Sequence, residues 1–350
     1  MKFGARIFRC RILKIALALC CHQSIVSVPI LGAPREEHFR IAGYPSSIKL
    51  FLRHLPPTRE GRGVKENVVL FVHGATFPSA SAAAFRFDGH SWMDDLSAAG
   101  FDVWALDFAG YGGSDRYPEM SVPSESNPPL GRAEICSRQL AAAIDFIRAH
   151  RQIGRVSIIA HSWGTLAAGL YATQQPEKVG RLVLFGPPAM RHSEGAEDEG
   201  RRAWWCVTEE AQQKRFYGYV PPGERPVMDP KHFAIWGPAY LETDADSFRR
   251  SPPCVRVPNG PVADLEDSWH GRFVYDPAKI ESPVLIIRGE WDTVTTYRDA
   301  QWLYQSLRSA PIKRDVVISR GTHVMHLEQS RFQLYREVQT FLEGHDGGER

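Results

Sequence analysis

The sequence predicts an α/β protein with a mostly parallel central sheet, helices on both faces of the sheet, and an inserted, mainly helical cap. From about residue 38, apolar strands alternate with helical segments, a pattern typical of a parallel sheet covered on both sides. The alternation stops between about residues 190 and 278 and then resumes. This interruption indicates an insertion late in the sheet rather than two consecutive domains.

The individual elements follow from periodicity and turn residues. Apolar runs of strand length predict strands within SIKLFLRHL, ENVVLFVHGA, FDVWALDFAGYGGSD, VSIIA, GRLVLFGPPA, SPVLIIRGEWD and KRDVVISRGTH. Apolar residues three or four positions apart predict helices within SWMDDLSAAG, GRAEICSRQLAAAIDFIRAH, TLAAGLYATQQ, YRDAQWLYQSL and RFQLYREVQTFLE. Gly100 is placed to end the first of these helices.

These elements divide the chain into three parts. Residues 35–189 and 279–350 form the predicted core, residues 190–278 form the predicted cap, and residues 1–34 form a leader. The cap region is interrupted by Pro and Gly, and its aromatic residues indicate the core of a small helical lid. These aromatics are Trp204, Trp205, Phe216, Tyr217, Tyr219, Trp236, Tyr240, Trp269 and Phe273.

The leader has the charged-then-apolar order of a secretory signal peptide, and its apolar run IALALCC is too short to span a membrane. Against this interpretation, Lys14 interrupts the apolar region and no small-x-small cleavage site follows. The alternative is a disordered extension or a gene start placed too early. A signal peptide would make the protein periplasmic or secreted; without one it would be cytoplasmic.

Charge excludes some partner classes. The 42 basic and 40 acidic residues are mixed along the chain and give a formal net charge of +2. No basic patch for nucleic acid is evident, so we expect no nucleic-acid partner. The sequence gives no indication of the oligomeric state.

The cysteines suggest neither a disulfide framework nor a metal site. Three of the six lie in the leader, leaving Cys136, Cys206 and Cys254, and no CxxC spacing occurs. Cys206 and Cys254 could pair in an exported protein, but buried free thiols are the interpretation we prefer at this stage. We expect no cofactor and no metal.

The stretch IIAHSWGTL places Ser162 where a hydrophobic strand meets a helix. A nucleophile elbow lifts its serine on a strained strand-to-helix turn and needs small residues two positions before and after it, here Ala160 and Gly164. The first of these is commonly glycine, so the local motif is loose. The alternative is a serine that only caps the helix or lies in the turn.

Two further loops follow predicted strands. LFVHGAT contains a His-Gly pair, in which His73 is expected to be a structural loop residue. DFAGYGGSD lacks the GxGxxG spacing of a dinucleotide site, so a glycine-rich turn is a sufficient explanation.

From about residue 40 to residue 345 the chain resembles α/β-hydrolase-fold enzymes. The matching motifs, in the family's order, are HGAT, DFAGYGGSD, AHSWGT, GEWDTVT and GTHVMHLE. The resemblance implies a Ser-His-Asp triad, with Ser162 as nucleophile, Asp292 after the seventh strand and His323 after the eighth. It also implies an oxyanion hole formed by the backbone N–H groups of Ala75 and Trp163.

Competing site residues lie close by in sequence. Glu290 could replace Asp292, although the family's Gly-x-x-Asp spacing favours Asp292. His326 could replace His323, but it is expected to begin or pack against the last helix. HVMH lacks the HExxH pattern and a third ligand for a metal. His161 is expected to pack beside the elbow.

The resemblance therefore implies a serine hydrolase that cleaves a carboxylic ester of a small or medium hydrophobic substrate through an acyl-enzyme, with no stable membrane span. Its serine argues against haloalkane dehalogenases and epoxide hydrolases, which use aspartate there. HSWGT is also similar to the GSWG elbow of proline iminopeptidases, which makes amide or peptide hydrolysis an alternative, although HGATFP differs from their HGGPG. Lactone, thioester and carbon–carbon bond hydrolysis stay open, as does a ligand-binding receptor on a hydrolase scaffold.

Overall fold

The computed structural model describes residue 1 and residues 35–58, 67–193 and 201–344. The chain divides into two compact units, Met1–Ala33 and Pro34–Arg350, and every helix and strand reported below belongs to the second. Apart from residue 1, the predicted leader lies outside the described residues. Among the described helices, none combines the length and the apolar character needed to cross a bilayer.

An eight-stranded sheet forms the centre of the second unit. Its spatial order is β1-β2-β4-β3-β5-β6-β9-β10, and all neighbouring pairs are parallel except those made by β2, which runs antiparallel to both β1 and β4. The predicted mostly parallel sheet is thereby confirmed. The strands are β1 (Glu37–Ala42), β2 (Lys49–Leu55), β3 (Val68–Val72), β4 (Asp102–Asp107), β5 (Val156–His161), β6 (Val179–Phe185), β9 (Val284–Gly289) and β10 (Lys313–Ile318).

The burial of each strand agrees with its position in the sheet. Every residue of β3, β4 and β9 is buried, as expected for strands with helices on both sides. The edge strands β1 and β10 are largely exposed or half-buried. The most apolar sequence runs therefore lie in the interior of the sheet.

In the part of the chain that the structure describes, five helices outside the insertion pack against the sheet. Helix α1 packs with α8, and α2 packs with α3. A capping box starts α1, because the Ser91 hydroxyl accepts from the Asp94 N–H while the Asp94 carboxylate accepts from the Ser91 N–H. The helices are α1 (Trp92–Ala98), α2 (Ala133–Arg151), α3 (Gly164–Gln174), α7 (Tyr297–Ser306) and α8 (Arg331–Leu342).

The chain between β6 and β9, called here the inserted segment, contains in its described part three helices and a two-stranded antiparallel sheet. Its helices agree with the expected helical insertion, whereas its two strands were not expected. The boundaries at residues 190 and 278 stay a prediction. The elements are β7 (Trp204–Thr208), α4 (Glu209–Gly218), α5 (Pro230–Leu241), β8 (Cys254–Pro258) and α6 (Gly260–Trp269).

A disulfide joins the two strands of this small sheet. Cys206 in β7 bonds to Cys254 in β8, with the Cα atoms 5.6 Å apart. The preference for free thiols at these two positions was wrong, because the pairing of β7 with β8 unites residues 48 positions apart. Cys136, in contrast, is a buried free thiol.

We expect the double variant Cys206→Ser/Cys254→Ser to be less stable than the wild type. Closing a loop of this length restricts the unfolded chain by about 4 kcal/mol in the chain-entropy model. For a chain of this size the loss corresponds to a Tm about 5 °C lower. Calorimetry of oxidised protein checks this, with Cys136→Ser as the cysteine control. Equal Tm values for the double variant and the wild type would contradict the expectation.

Candidate active site

Ser162 lies on a sharp turn between β5 and α3. Its φ is +54°, in the left-handed region that residues other than glycine seldom adopt. The Ser162 N–H donates to the Phe185 carbonyl at 2.8 Å, which ties the turn to the end of β6. The turn thus has the strained geometry of a nucleophile elbow.

The small residues around this turn are required by its neighbours. A side chain at Gly164 would collide with the His73 carbonyl. A Cβ added at Gly74 would lie 3.1 Å from the Ser162 Cβ. Ala160 is fully buried in β5, so its methyl group is accommodated at the position where a nucleophile elbow commonly has glycine.

The structure brings Ser162, His323 and Asp292 into one hydrogen-bonded line. The Ser162 Oγ lies 2.7 Å from the His323 Nε2, and the His323 Nδ1 lies 2.9 Å from the Asp292 Oδ2. Asp292 follows β9, and His323 follows β10; these are the seventh and eighth strands of the central sheet in chain order. All three side chains are buried.

Asp292 is held as a carboxylate. Its Oδ1 accepts from the N–H groups of Val294 and Thr295, each at 2.9 Å, and its Oδ2 accepts from the Thr295 hydroxyl at 2.6 Å. Burial acts to raise its pKa, but the charge and hydrogen bond of His323 and the Thr295 bonds outweigh burial and lower it. An ionised Asp292 accepts the Nδ1–H of His323 and leaves Nε2 free to accept from the Ser162 hydroxyl.

Glu290, the alternative to Asp292 as the acid of the triad, has different contacts. Glu290 is exposed, and its Oε2 accepts from the Arg320 N–H at 2.9 Å and the Ser319 hydroxyl at 3.0 Å. These contacts hold the Glu290 carboxylate in the loop after β10, whereas Asp292 contacts the His323 ring.

The other histidines have packing or positioning roles. His73 accepts the Phe108 N–H on Nε2 at 3.1 Å, as expected for a loop residue. His326 packs against the ring of Phe77, and burial lowers its pKa to about 3. It is therefore neutral at ordinary pH.

His161 does more than pack beside the elbow. Its Nε2 donates to the main-chain carbonyl of His323 at 2.9 Å, and burial lowers its pKa well below the ordinary value. A neutral His161 therefore fixes the backbone of the histidine that contacts Ser162. The sequence suggested only proximity, because this bond spans 162 positions.

The two backbone groups expected to form an oxyanion hole belong to Ala75 and Trp163. Within the described ranges, neither N–H donates to another protein atom. The Tyr111 hydroxyl donates at 2.7 Å to the Ala75 carbonyl, which lies in the peptide after the one that carries the Ala75 N–H. Ala75 also lines the cavity beside Ser162.

The side chain of Trp163 connects the elbow to the inserted segment. Its Nε1 donates to the Asp264 Oδ2 in α6 at 2.8 Å. The same carboxylate accepts from the Ala133 N–H at 2.7 Å and pairs with Arg132. Burial raises the Asp264 pKa to about 6 although Arg132 opposes this effect. No pattern in the sequence indicated this contact.

A cavity of about 170 Å³ opens beside Ser162. Its walls are mostly apolar, and the inserted segment contributes Trp205, Arg215, Tyr219, Val262 and Leu265 to them. No group of three His, Cys, Asp or Glu side chains that could hold a metal occurs among the described residues. The arrangement can supply a nucleophile, a base and oxyanion donors to a small molecule.

Comparisons with curated proteins give partial matches. The chain is 31% identical over 124 residues to a 2-hydroxy-6-oxononadienedioate/2-hydroxy-6-oxononatrienedioate hydrolase of Cupriavidus pinatubonensis, covering 35% of this chain and 37% of the relative. It is 28% identical over 163 residues to the lysosomal acid lipase/cholesteryl ester hydrolase of Homo sapiens, covering 45% and 40%. These matches span well under half the length of either relative.

Solved structures share the fold over most of the chain. An esterase from Thermogutta terrifontis has a TM-score of 0.54 at 17% identity, covering 88% of this chain and 98% of its own. An epoxide hydrolase from Vigna radiata has a TM-score of 0.57 at 16% identity, covering 88% and 98%. The family model for the alpha/beta hydrolase fold matches residues 67–330. The chain therefore belongs to the α/β-hydrolase-fold family.

Proposed function

We propose that the protein is a serine hydrolase that cleaves a carboxylic ester of small or medium size through an acyl-enzyme. The observation that carries this proposal is the line from Ser162 through His323 to Asp292 at the wall of a mostly apolar cavity. A serine hydroxyl is a weak nucleophile at neutral pH unless a base lies within hydrogen-bond reach.

In the first half-reaction, the His323 Nε2 takes the hydroxyl proton as the Ser162 Oγ bonds to the ester carbonyl carbon. The carbonyl oxygen becomes an oxyanion, which the N–H groups of Ala75 and Trp163 would stabilise. Asp292 orients the ring and stabilises its positive charge. His323 then gives the proton to the ester oxygen, the C–O bond breaks, and the alcohol leaves.

In the second half-reaction, water replaces the alcohol. His323 takes a proton from the water as its oxygen bonds to the acyl carbon. The bond from that carbon to the Ser162 Oγ then breaks, and the proton returns to the serine. The products are a carboxylic acid and free enzyme, with His323 neutral again.

The cavity supports an ester with a substantial apolar part. Val262 and Leu265 of the inserted segment face the same space as Phe77 and Val324 of the core. Burying apolar surface there contributes about 25 cal/mol for each Å² removed from water.

Carbon–carbon bond hydrolysis is a second candidate, because one relative at 31% identity is named a 2-hydroxy-6-oxononadienedioate/2-hydroxy-6-oxononatrienedioate hydrolase. A compound of that name has a ketone and no ester, so its hydrolysis would break a carbon–carbon bond. The same serine, base and oxyanion donors can act on a ketone carbonyl. That match covers only 35% of the chain, so ester cleavage remains the first proposal.

A substrate panel separates these activities. We expect p-nitrophenyl esters of short and medium acids to be hydrolysed faster than a proline p-nitroanilide, a γ-lactone and a vinylogous 1,5-diketone. A fluorophosphonate probe should label Ser162, as located by peptide mass spectrometry. A ligand-binding receptor would be nearly inert in both assays, and that result would refute the proposal. Preferred turnover of the diketone would favour the second candidate.

A further inference from the structure

One cation interrupts the apolar wall of the cavity beside Ser162. Among the described residues that line it, Arg215 is the only Lys, Arg, Asp or Glu. It lies on α4 of the inserted segment, so the fold of that segment places the charge over the central sheet.

Among the described residues, the contacts of Arg215 provide no counter-ion for its charge. Its Nη2 donates to the Thr76 hydroxyl at 2.8 Å, and its guanidinium lies 5.9 Å from the ring centre of Phe77 and 5.5 Å from that of Phe216. Its Nε is enclosed and has no hydrogen-bond partner in the part of the chain that the structure describes.

Two other arginines near the inserted segment share one carboxylate partner. Arg116 and Arg250 each pair with the Asp244 carboxylate at 2.7 Å. No such carboxylate contacts Arg215 within the described ranges. Removing a cation from water without a partner is costly, and a guanidinium offers five donors in a planar fork suited to a carboxylate.

Arg215 lies close to a backbone group that is assigned to the oxyanion hole. Thr76, which anchors Arg215, is the next residue after Ala75, whose N–H is assigned to the oxyanion. Tyr219, the residue directly after α4, lines the same cavity. Burial raises the pKa of the Tyr219 hydroxyl although Arg215 opposes this effect. It therefore stays protonated and can donate to an anion.

We propose that Arg215 binds a carboxylate of the substrate, so that the preferred ester has an apolar body and one free carboxylate in its acyl part. This inference rests on the proposed function, because it takes the space beside Ser162 as the substrate site. The ligand of Arg215 is the carboxylate of an organic monoanion, which supplies the counter-ion that Arg215 lacks among the described residues. A guanidinium fork binds such a group with two parallel hydrogen bonds.

The kinetic test compares two esters with one leaving group: p-nitrophenyl valerate and mono-p-nitrophenyl glutarate, which differ in a terminal carboxylate. We expect Arg215→Gln to lower kcat/KM about 10- to 100-fold more for the glutarate than for the valerate, mainly through KM. Arg215→Lys should retain part of the preference. Arg249→Gln is the matched control, because Arg249 is exposed and pairs only with Asp246 among the described residues. Equal losses on both esters would overturn the inference and leave esterase activity standing.

A binding test separates this inference from the proposed function. Monomethyl glutarate is titrated into Ser162→Ala protein with and without Arg215→Gln, and folding is checked by thermal melting. We expect Kd to rise about 10- to 100-fold in the double variant. Absent binding, or an unchanged Kd, would overturn the carboxylate subsite whatever the turnover assays show. Inert wild-type protein that still binds through Arg215 would refute only the esterase.

Discussion

Replacing Ser162 with Ala is expected to lower kcat for ester hydrolysis by about 10⁶-fold, the loss found when a triad serine is removed elsewhere. The variant retains His323, Asp292 and the backbone donors, but no atom remains to form the acyl bond. Stability should change little, because only the hydroxyl that contacts the His323 Nε2 is removed. Stopped assays on p-nitrophenyl butyrate, together with a thermal melt, check both parts.

Ser157 offers the matched control for this variant. It lies near the start of β5, the same strand that ends at the elbow, and its Oγ accepts from the Arg181 N–H at 3.2 Å. Ser157→Ala should therefore keep wild-type turnover. Substantial ester hydrolysis by Ser162→Ala would show that Ser162 is not the nucleophile.

Replacing Asp292 with Asn is expected to lower kcat by about 10⁴-fold. The Asn amide nitrogen cannot accept the Nδ1–H of His323, so the ring adopts the other tautomer, with its proton on Nε2. That tautomer presents a donor to Ser162 and cannot take its proton. The N–H groups of Val294 and Thr295 donate to Oδ1 in the wild type, so they keep the amide oxygen at that position and the amide nitrogen faces the His323 ring.

Glu290→Gln is the control for the acid assignment. Glu290 carries the same charge two residues earlier but contacts Ser319 and Arg320 in the loop after β10. We expect its turnover to stay within about twofold of the wild type, as for a surface substitution away from the site. If Glu290→Gln lowered kcat more than Asp292→Asn, Glu290 would be the acid of the triad.

Sequence patterns predicted the interior of the sheet because its strands are continuous apolar runs. The loops that follow β5, β9 and β10 were predicted for the same reason, and Ser162, Asp292 and His323 lie in them. The structure places these residues within hydrogen-bond distance of one another. In a parallel sheet, the ends of such strands meet at one edge.

Sequence patterns did not predict the features that depend on contacts between segments far apart in the chain. Strand β1 is an exposed edge with charged residues and lacks an apolar run. The β7–β8 pair and its disulfide join positions 48 apart. Arg215 reaches the cavity only because α4 folds over the sheet. Periodicity reports local burial and carries no information on which distant segments meet.

The hydrogen bond from Trp163 to Asp264 restricts how this enzyme scaffold can be redesigned. Exchanging the whole inserted segment for one from another hydrolase would remove the acceptor of a fully buried indole N–H next to Ser162. An orphaned buried donor costs about 1–3 kcal/mol, and here the cost would fall on the elbow. A chimera made to change substrate range should therefore keep α6 and exchange only the chain before it.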